Sequence, residues 1–233
     1  MNDSNNIFEA VESAYDISGI DQTIFIVRSN KRAYLFNKQI RQNILYHEDE
    51  LSIGDRLMVL KNNYFWLPNT SKPGFIANGD IIEIIKINSK KDIYGFSFAE
   101  VQVLLVDYPE ELPFETVLLL DTLKTKTASL SYEEANLLYK NIMEDYADEK
   151  YKFKRLLKVK GNKFFNALQV KYSYAITCHK SQGGQWENVF IEKPYLPNGL
   201  NKEYLRWLYT AVTRSTKKLY LIGFTSEDFN MQN

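Results

Sequence analysis

Several things are scarce in this sequence of 233 residues. It has one cysteine, Cys178, so a disulfide framework is excluded and a reducing cytosol is the compartment that fits. No apolar run approaches the roughly 20 residues of a membrane span, and the first residues, MNDSNNIFEAVESAYD, are polar and acidic rather than typical of a signal peptide. We therefore expect a cytoplasmic protein that does not engage a membrane.

An excess of either charge is also lacking. The chain has 29 basic and 29 acidic residues, and its pI is near 6.8. Such a balance excludes a generally basic nucleic-acid binder, so any contact with nucleic acid has to come from a local patch. The length is sufficient for one good hydrophobic core and a smaller second one.

The usual nucleotide-binding motifs are missing as well. The sequence contains no G-x-x-x-x-G-K-[ST] loop, and no apolar strand ends in an Asp-Glu pair that could hold Mg²⁺. The chain also offers no set of metal ligands. We therefore expect that these residues alone do not hydrolyse ATP.

The most informative segment present is YAITCHKSQGGQW, residues 174–186. Residues 172–177 alternate in polarity as a strand does, and the polar loop after them offers several hydrogen-bond donors: Thr177, His179, Lys180, Ser181 and Gln182. Gly183 and Gly184 then allow a close approach of the backbone to a ligand. Open α/β sheets bind ligands at the carboxyl ends of strands, and phosphates of a nucleotide or of DNA fit such donors best. Cys178, inside this segment, is interpreted as a buried small apolar residue rather than a nucleophile.

A second segment, LYTAVTR, ends at Arg214. The pattern predicts a helix over residues 201–212 and a strand over residues 218–223. An arginine at a helix end can form a fork of hydrogen bonds to a phosphate and keeps its charge at any working pH.

A third segment lies near the amino end, where residues 23–29 predict a buried strand and residues 30–45 a helix that Asn30 can cap. Asn30, Asn37 and Arg41 are spaced to share one helical face, away from Leu35, Phe36 and Ile40. Taken alone, this stripe is more typical of a helix face exposed to solvent, but its position ahead of the other two segments favours a contact with a ligand.

The middle of the chain has a different character. Short strands are predicted over residues 54–61, 81–87, 96–106 and 116–120, which indicates a small barrel, and a capping box formed by Ser131 and Glu134 predicts a helix over residues 131–151. Seven basic residues and no acidic one follow within residues 150–163. This run is typical either of a solvated face or of a contact with DNA.

Together, residues 174–186 and 208–214 resemble motifs V and VI of superfamily 1 DNA helicases of the RecD-like or UvrD type, and the Asn30, Asn37, Arg41 pattern resembles the segment after motif IV. GDRLMVLKNN at 54–63 and IANGD at 76–80 resemble the SH3-like 2B insertion of that family. The resemblance implies an α/β fold, a RecA-like motor domain 2A interrupted by a small SH3-like β-barrel. Its expected limits are a lead-in helix at 1–20, domain 2A at 21–51 and 166–229, the insertion at 52–130, and a helix with a basic connector at 131–165.

The resemblance also implies roles for individual residues. Arg214 corresponds to the arginine finger, the catalytic residue that stabilises charge on the transferring phosphoryl group. The residues expected to contact ATP are Gly184, Gln185, Arg214 and Arg41. The residues expected to contact single-stranded DNA are Asn30, Asn37, Thr177, His179, Lys180, Gln182 and Gly183. Many relatives carry Glu where this chain has Gln185.

The function implied is that of the carboxyl-terminal half of an ATP-dependent DNA helicase that translocates on single-stranded DNA. The resemblance to RecD-like helicases implies movement in the 5′ to 3′ direction. An upstream motor domain 1A of the same parent chain is expected to bind most of the ATP and Mg²⁺. The pathway stays open among recombination, repair, plasmid transfer and phage replication. Two other classes also stay open: a stand-alone nucleic-acid-binding module without ATPase activity, and an interaction module whose barrel binds a partner protein.

Overall fold

The computed structural model describes residues 4–68, 70–196 and 199–228. The chain divides into two compact units. We call Met1–Glu48 with Tyr174–Asn233 the sheet unit, and Asp49–Ser173 the barrel unit. No helix among the described residues has both the length and the apolar character needed to cross a membrane.

The amino-terminal part of the sheet unit contains two helices and one strand. Their bounds are α1 Ser4–Ser18, β1 Thr23–Val27 and α2 Asn30–Asn43, with a 3-10 turn Ile20–Gln22 before β1. Within the range 1–20 predicted for a lead-in helix, α1 occupies Ser4–Ser18, and residues 1–3 lie outside the described part of the chain. The N-cap of α2 is Ser29, whose side chain accepts a hydrogen bond from Arg32 N, so the prediction that Asn30 caps the helix is wrong by one residue.

The barrel unit follows, with five strands and three helices. Their bounds are β2 Arg56–Val59, β3 Ile81–Ile93, β4 Phe96–Leu105, β5 Phe114–Leu119, α3 Asp121–Lys124, α4 Tyr132–Glu144, α5 Lys152–Lys160 and β6 Leu168–Tyr172. The strands close into a barrel in the order β2-β3-β4-β5-β6, antiparallel except for the β5–β6 pair. The predicted barrel is confirmed, and so is the capping box of Ser131 and Glu134 at the start of α4.

The barrel encloses an apolar core. Members at 0% exposure include Leu57, Val59, Ile82, Ile84, Val101, Val103, Leu118 and Val170. The hairpin β3–β4 extends beyond this core, to the pair Ile93↔Phe96, which is why β3 is longer than the predicted residues 81–87. Its outer part is polar and gives no apolar alternation, but cross-strand pairs such as Lys91 with Glu100 hold it in place.

The carboxyl-terminal part of the sheet unit completes a parallel sheet. It contains β7 Ala175–Thr177, β8 Trp186–Glu192, α6 Lys202–Val212, β9 Ser215–Ile222 and a final 3-10 turn Ser226–Asp228. The strand order is β7-β1-β8-β9, and each neighbouring pair is parallel. All five residues of β1 are buried, and the Phe25 ring stacks on Phe190 with a centroid distance of 4.7 Å. Buried parallel strands of this kind are expected to be continuously apolar.

The single strand predicted over residues 172–177 is wrong. Tyr172 ends β6 of the barrel, whereas Ala175 begins β7 of the sheet, with buried Ser173 and Tyr174 between them. Residues 166–172, which the resemblance assigned to the motor half, therefore include the last barrel strand. Alternation of polarity indicates a strand but does not indicate which sheet the strand joins.

Candidate functional site

The parallel sheet arranges the motif residues along two opposite edges. Thr177 is level with Val27 at the end of β1, whereas Asn188 is level with Thr23 at its start. Val27 and Thr23 are four residues apart in β1, so the positions of Thr177 and Asn188 along the strand direction differ by about 13 Å. We call the side where β1 and β7 end the carboxyl edge, and the side where β8 and β9 begin the amino edge.

The carboxyl edge carries a tight turn after β7. Thr177 O accepts hydrogen bonds from Lys180 N (2.8 Å) and Ser181 N (3.2 Å), and the Ser181 hydroxyl donates to Cys178 O at 2.8 Å. Ser181 is fully buried, so it anchors the turn and does not face a ligand. The remaining side chains of the turn, His179, Lys180 and Gln182, are exposed. Partial desolvation lowers the pKa of the Lys180 amine.

Two other residues of this segment have structural roles. Gly183 has φ +85°, a left-handed conformation that glycine adopts without strain. Cys178 is 4% exposed, and burial raises the pKa of its thiol. A thiol of this kind is a poor nucleophile, which confirms that Cys178 is a buried apolar residue.

The amino edge holds Arg214 in a defined position. Its guanidinium donates to Thr210 O from Nε (3.1 Å), to Gly184 O from Nη1 (3.2 Å) and to Thr213 Oγ1 from Nη2 (3.1 Å). All three acceptors are neutral, and in the described part of the chain Arg214 has no carboxylate partner. A guanidinium has five N–H donors, so two stay available. Arg214 is therefore a half-buried, fixed cation whose charge is not compensated within the described residues.

Arg214 also connects the two motif segments. Trp186 N donates to Arg214 O at 2.9 Å, so the start of β8 is held against the end of the α6 segment. The Trp186 indole covers Gly184 so closely that a Cβ built there would lie 2.3 Å from the ring. Gln185, between them, is exposed. The structure thus brings together Gly184, Gln185 and Arg214.

The α2 residues do not share one ligand-facing stripe. Asn30 is exposed at the carboxyl edge, but Asn37 and Arg41 are only 4% and 5% exposed and lie on the inward face with Phe36 and Ile40. The prediction that Phe36 and Ile40 lie elsewhere is wrong, and so is the alternative of a solvated stripe. Spacing alone did not distinguish an inward polar residue from an outward one.

Asn37 has a specific inward role. Its Nδ2 donates to Ala175 O and its Oδ1 accepts from Ala175 N, both at 2.8 Å. Both functional atoms are thus used by the backbone of β7, so Asn37 positions the motif strand instead of offering its amide to DNA. Arg41 is one helical turn farther along α2, towards the amino edge, because α2 begins where β1 ends.

Two ion pairs at the carboxyl edge were not predicted from the sequence. Arg32, in the first turn of α2, forms a two-point contact with Glu192 at the end of β8, with Nε to Oε2 at 2.8 Å. Arg28, just after β1, lies 3.8 Å from Glu203. Arg32 follows β1 and Glu192 ends β8, and these two strands are neighbours. The first pair could therefore have been predicted only with knowledge of the strand order. Among the described residues there is no cluster of three or more metal-ligating side chains.

Comparison with known proteins identifies the segment that contains this site. Residues 172–222 match the family described as UvrD-like helicase C-terminal domain. The resemblance to the C-terminal region of a superfamily 1 helicase is confirmed. The matched segment includes β7, its turn, α6 and Arg214, and covers less than half of the chain.

Individual relatives match only in part. The chain is 40% identical over 78 residues to an uncharacterized protein of Methanocaldococcus jannaschii, covering 32% of this chain and 6% of that protein. It is 30% identical over 96 residues to DNA helicase B of Mus musculus, covering 37% of this chain and 9% of that protein. The chain thus matches under a tenth of either relative.

Solved structures of Pif1 helicases are also similar. The Bacteroides enzyme in complex with ADP-AlF3 and ssDNA is 12% identical, with a TM-score of 0.48, and the alignment covers 99% of this chain and 48% of that one. For the Candida albicans enzyme the identity is 11%, the TM-score 0.45, and the coverage 88% and 45%. The chain spans less than half of each of these solved chains.

Proposed function

We propose that this chain is the carboxyl-terminal part of an ATP-dependent DNA helicase, with the sheet unit as its RecA-like domain 2A and the barrel unit as its SH3-like 2B insertion. The observation that carries the proposal is Arg214, fixed beside Gly184 by neutral acceptors alone. A half-buried cation without a counter-charge attracts an anion. The match of residues 172–222 to a helicase C-terminal domain makes a nucleotide phosphate the anion of choice.

The proposed nucleotide side is the amino edge. ATP with its Mg²⁺, held mainly by an upstream domain 1A, supplies the γ-phosphoryl group whose transfer to water drives the motor. Arg214 directs its two remaining N–H donors at the negative charge that grows on that group, and fixed donors of this kind stabilise a transition state without reorganising. Gly184 and Gln185 complete this side, whereas Arg41 is 5% exposed and is not placed among the ATP contacts. Arg214 is thus the proposed catalytic residue of the chain.

The proposed DNA side is the carboxyl edge. Asn30, Thr177, His179, Lys180 and Gln182, with the backbone at Gly183, offer donors to phosphates, which position a strand without reading its sequence. Asn37 acts indirectly by holding β7 in place. The two sides lie at opposite ends of the strands and are joined by residues 178–185, so one rigid body can respond to both ligands. Translocation 5′ to 3′, action in the cytoplasm and a protein partner for the barrel belong to the same proposal.

Steady-state kinetics on the whole parent protein test this division. Arg214→Ala is expected to lower ATP turnover by about 10³-fold or more while nucleotide affinity changes little, because the interaction strengthens mainly in the transition state. Lys217→Ala, an exposed basic residue in β9, is the matched control. His179→Ala is expected to weaken DNA affinity and DNA-stimulated turnover but to leave the basal turnover intact.

The opposite pattern would support the other classes. If Arg214→Ala leaves turnover unchanged, Arg214 does not serve as the finger. If the 233-residue chain then binds single strands without any dependence on nucleotide, the stand-alone binding module is the better account. If the chain binds no nucleic acid at all, a protein-interaction module is the better account.

A further inference from the structure

Helix α5 presents a surface that the proposed function does not use. Its inner side is anchored by Val159, which is 0% exposed and packs with Leu138, Ile142 and Phe164. On the outer side, Tyr151, Phe153 and Leu157 are 57%, 69% and 50% exposed. Phe153 and Leu157 are four residues apart and so are neighbours on one helical face. Large apolar side chains clustered on a surface mark a site of interaction.

The same outer side carries unusual positive charge. Lys158 pairs with Glu149, and Lys163 pairs with Glu100. Four further lysines make no salt bridge within the described ranges: Lys150, Lys152, Lys154 and Lys160. Two of them lie over an exposed ring: the amines of Lys150 and Lys154 are 6.0 and 5.3 Å from the centroid of Tyr151. Lys152 is seven residues before the inward Val159 and so lies on the same side of the helix as Val159. We call Lys150, Tyr151, Phe153, Lys154, Leu157 and Lys160 the α5 face.

The combination selects one class of ligand. Exposed rings interleaved with cations suit single-stranded nucleic acid, whose bases stack on the rings while its phosphates contact the amines. A duplex would leave the rings without stacking partners, because its bases are already stacked. A lipid surface would engage a broad apolar stripe, whereas here cations lie between the apolar residues.

We propose that the α5 face is a second binding site for single-stranded nucleic acid, on the barrel unit and separate in sequence from the motif residues. The proposal rests on the proposed function, since a helicase is what supplies a single strand. Lys150, Lys154 and Lys160 hold phosphates, and Phe153 stacks on a base.

Salt-dependent binding of a fluorescent oligo-dT to the 233-residue chain tests the charges. For single strands, log K falls with log salt by about 0.7 per phosphate contact. Lys154→Gln with Lys160→Gln removes two contacts, so this slope is expected to become shallower by about 1.4. The matched control is Lys86→Gln with Lys126→Gln, two exposed lysines of the same unit, which is expected to leave affinity and slope unchanged.

Substitution of a ring tests the stacking. Phe153→Ala is expected to weaken oligo-dT binding by roughly 5-fold or more without changing the salt slope. Tyr132→Ala is the matched control, since this ring is 79% exposed but lies beside Glu133 and Glu134. Both residues are on the surface, and circular dichroism verifies that the variants are folded.

Three results would overturn the inference. The first is an unchanged affinity and slope in the Lys154/Lys160 variant, and the second is an equal loss in its control, which would indicate general electrostatics only. The third is a loss of binding to anionic phospholipid vesicles with oligo-dT binding intact, which would make the face a lipid contact. His179→Ala is measured in parallel to separate the DNA site at the carboxyl edge from the site on the α5 face. If this variant binds oligo-dT as tightly as the unchanged chain, the carboxyl-edge site is contradicted, but the result for the α5 face is not affected.

Discussion

Replacement of Asn37 by alanine tests whether this residue positions a strand or contacts DNA. β7 is the outermost strand on its side of the sheet, so the outward N–H and C=O of Ala175 have no neighbouring strand to pair with. The Asn37 amide replaces that neighbour with two hydrogen bonds of 2.8 Å, at a site where Asn37 itself is 4% exposed. Asn37 therefore acts as a substitute peptide group for the strand that carries the motif.

The expected cost follows from these two bonds. Leaving a buried donor or acceptor unsatisfied costs about 1–3 kcal/mol, and two groups are affected, so Asn37→Ala is expected to lower the free energy of unfolding by about 2–6 kcal/mol. With a urea m-value of about 2 kcal/mol/M, the unfolding midpoint of the sheet unit falls by about 1–3 M. Asn43→Ala, an exposed asparagine in the same helix, is the control and is expected to change the midpoint little.

Two assays on the same variants decide the role of Asn37. Urea unfolding followed by circular dichroism gives stability, and fluorescence anisotropy with oligo-dT gives affinity under conditions in which each variant is folded. We expect a large loss of stability and, per folded molecule, little loss of affinity. A weakened affinity at unchanged stability would refute the reasoning and return Asn37 to the DNA contacts.

Further predictions concern single sites. Gly184→Ala puts a methyl group 2.3 Å from the Trp186 indole, so the ring has to move. We expect a shifted tryptophan emission and a lower ATP turnover of the parent protein, and an unchanged emission would contradict this packing. Hydrogen bonds from Lys163 and Lys91 lower the pKa of Glu100 from 4.5 to about 2, so their stabilisation is present above pH 4.5 and is lost as the pH falls towards 2. Glu100→Gln is expected to cost about 1 kcal/mol at pH 6 and almost nothing near pH 2, by urea midpoints, and an equal cost at both pH values argues against the ion pairs. Ser131→Ala removes the N-cap of α4 and is expected to cost about 1 kcal/mol, measured in the same way, whereas no loss argues against the cap.

The local elements were largely predictable from sequence. Short alternating strands separated by turns predicted the barrel, and Ser131 with Glu134 predicted the start of α4, because these signals act over a few residues. The association of Gly184 with Arg214 was foreseen only through the resemblance. To predict this association from physical reasoning alone, one has to know that β8 and β9 are neighbours, and the order of strands is a property of the whole sheet.

The failures have a common physical cause. Tyr172 and Ala175 are both in extended backbone, but they belong to different sheets, and a period of two does not encode that change. Asn37 and Arg41 have the spacing of a polar stripe, yet they face inward. For Asn37 the partner is the backbone of Ala175, far away in sequence. Tertiary hydrogen bonds of this kind override the expectation that polar residues of a helix face water.

Amide hydrogen exchange on the whole parent protein, with each ligand added separately, tests the division of the sheet most directly. A non-hydrolysable ATP analogue is expected to slow exchange at residues 184–185 and 214, at the amino edge. Oligo-dT is expected to slow exchange at residues 177–180, at the carboxyl edge. Protection of one segment by both ligands, or of neither segment by either ligand, would contradict the assignment of nucleotide and DNA to opposite edges.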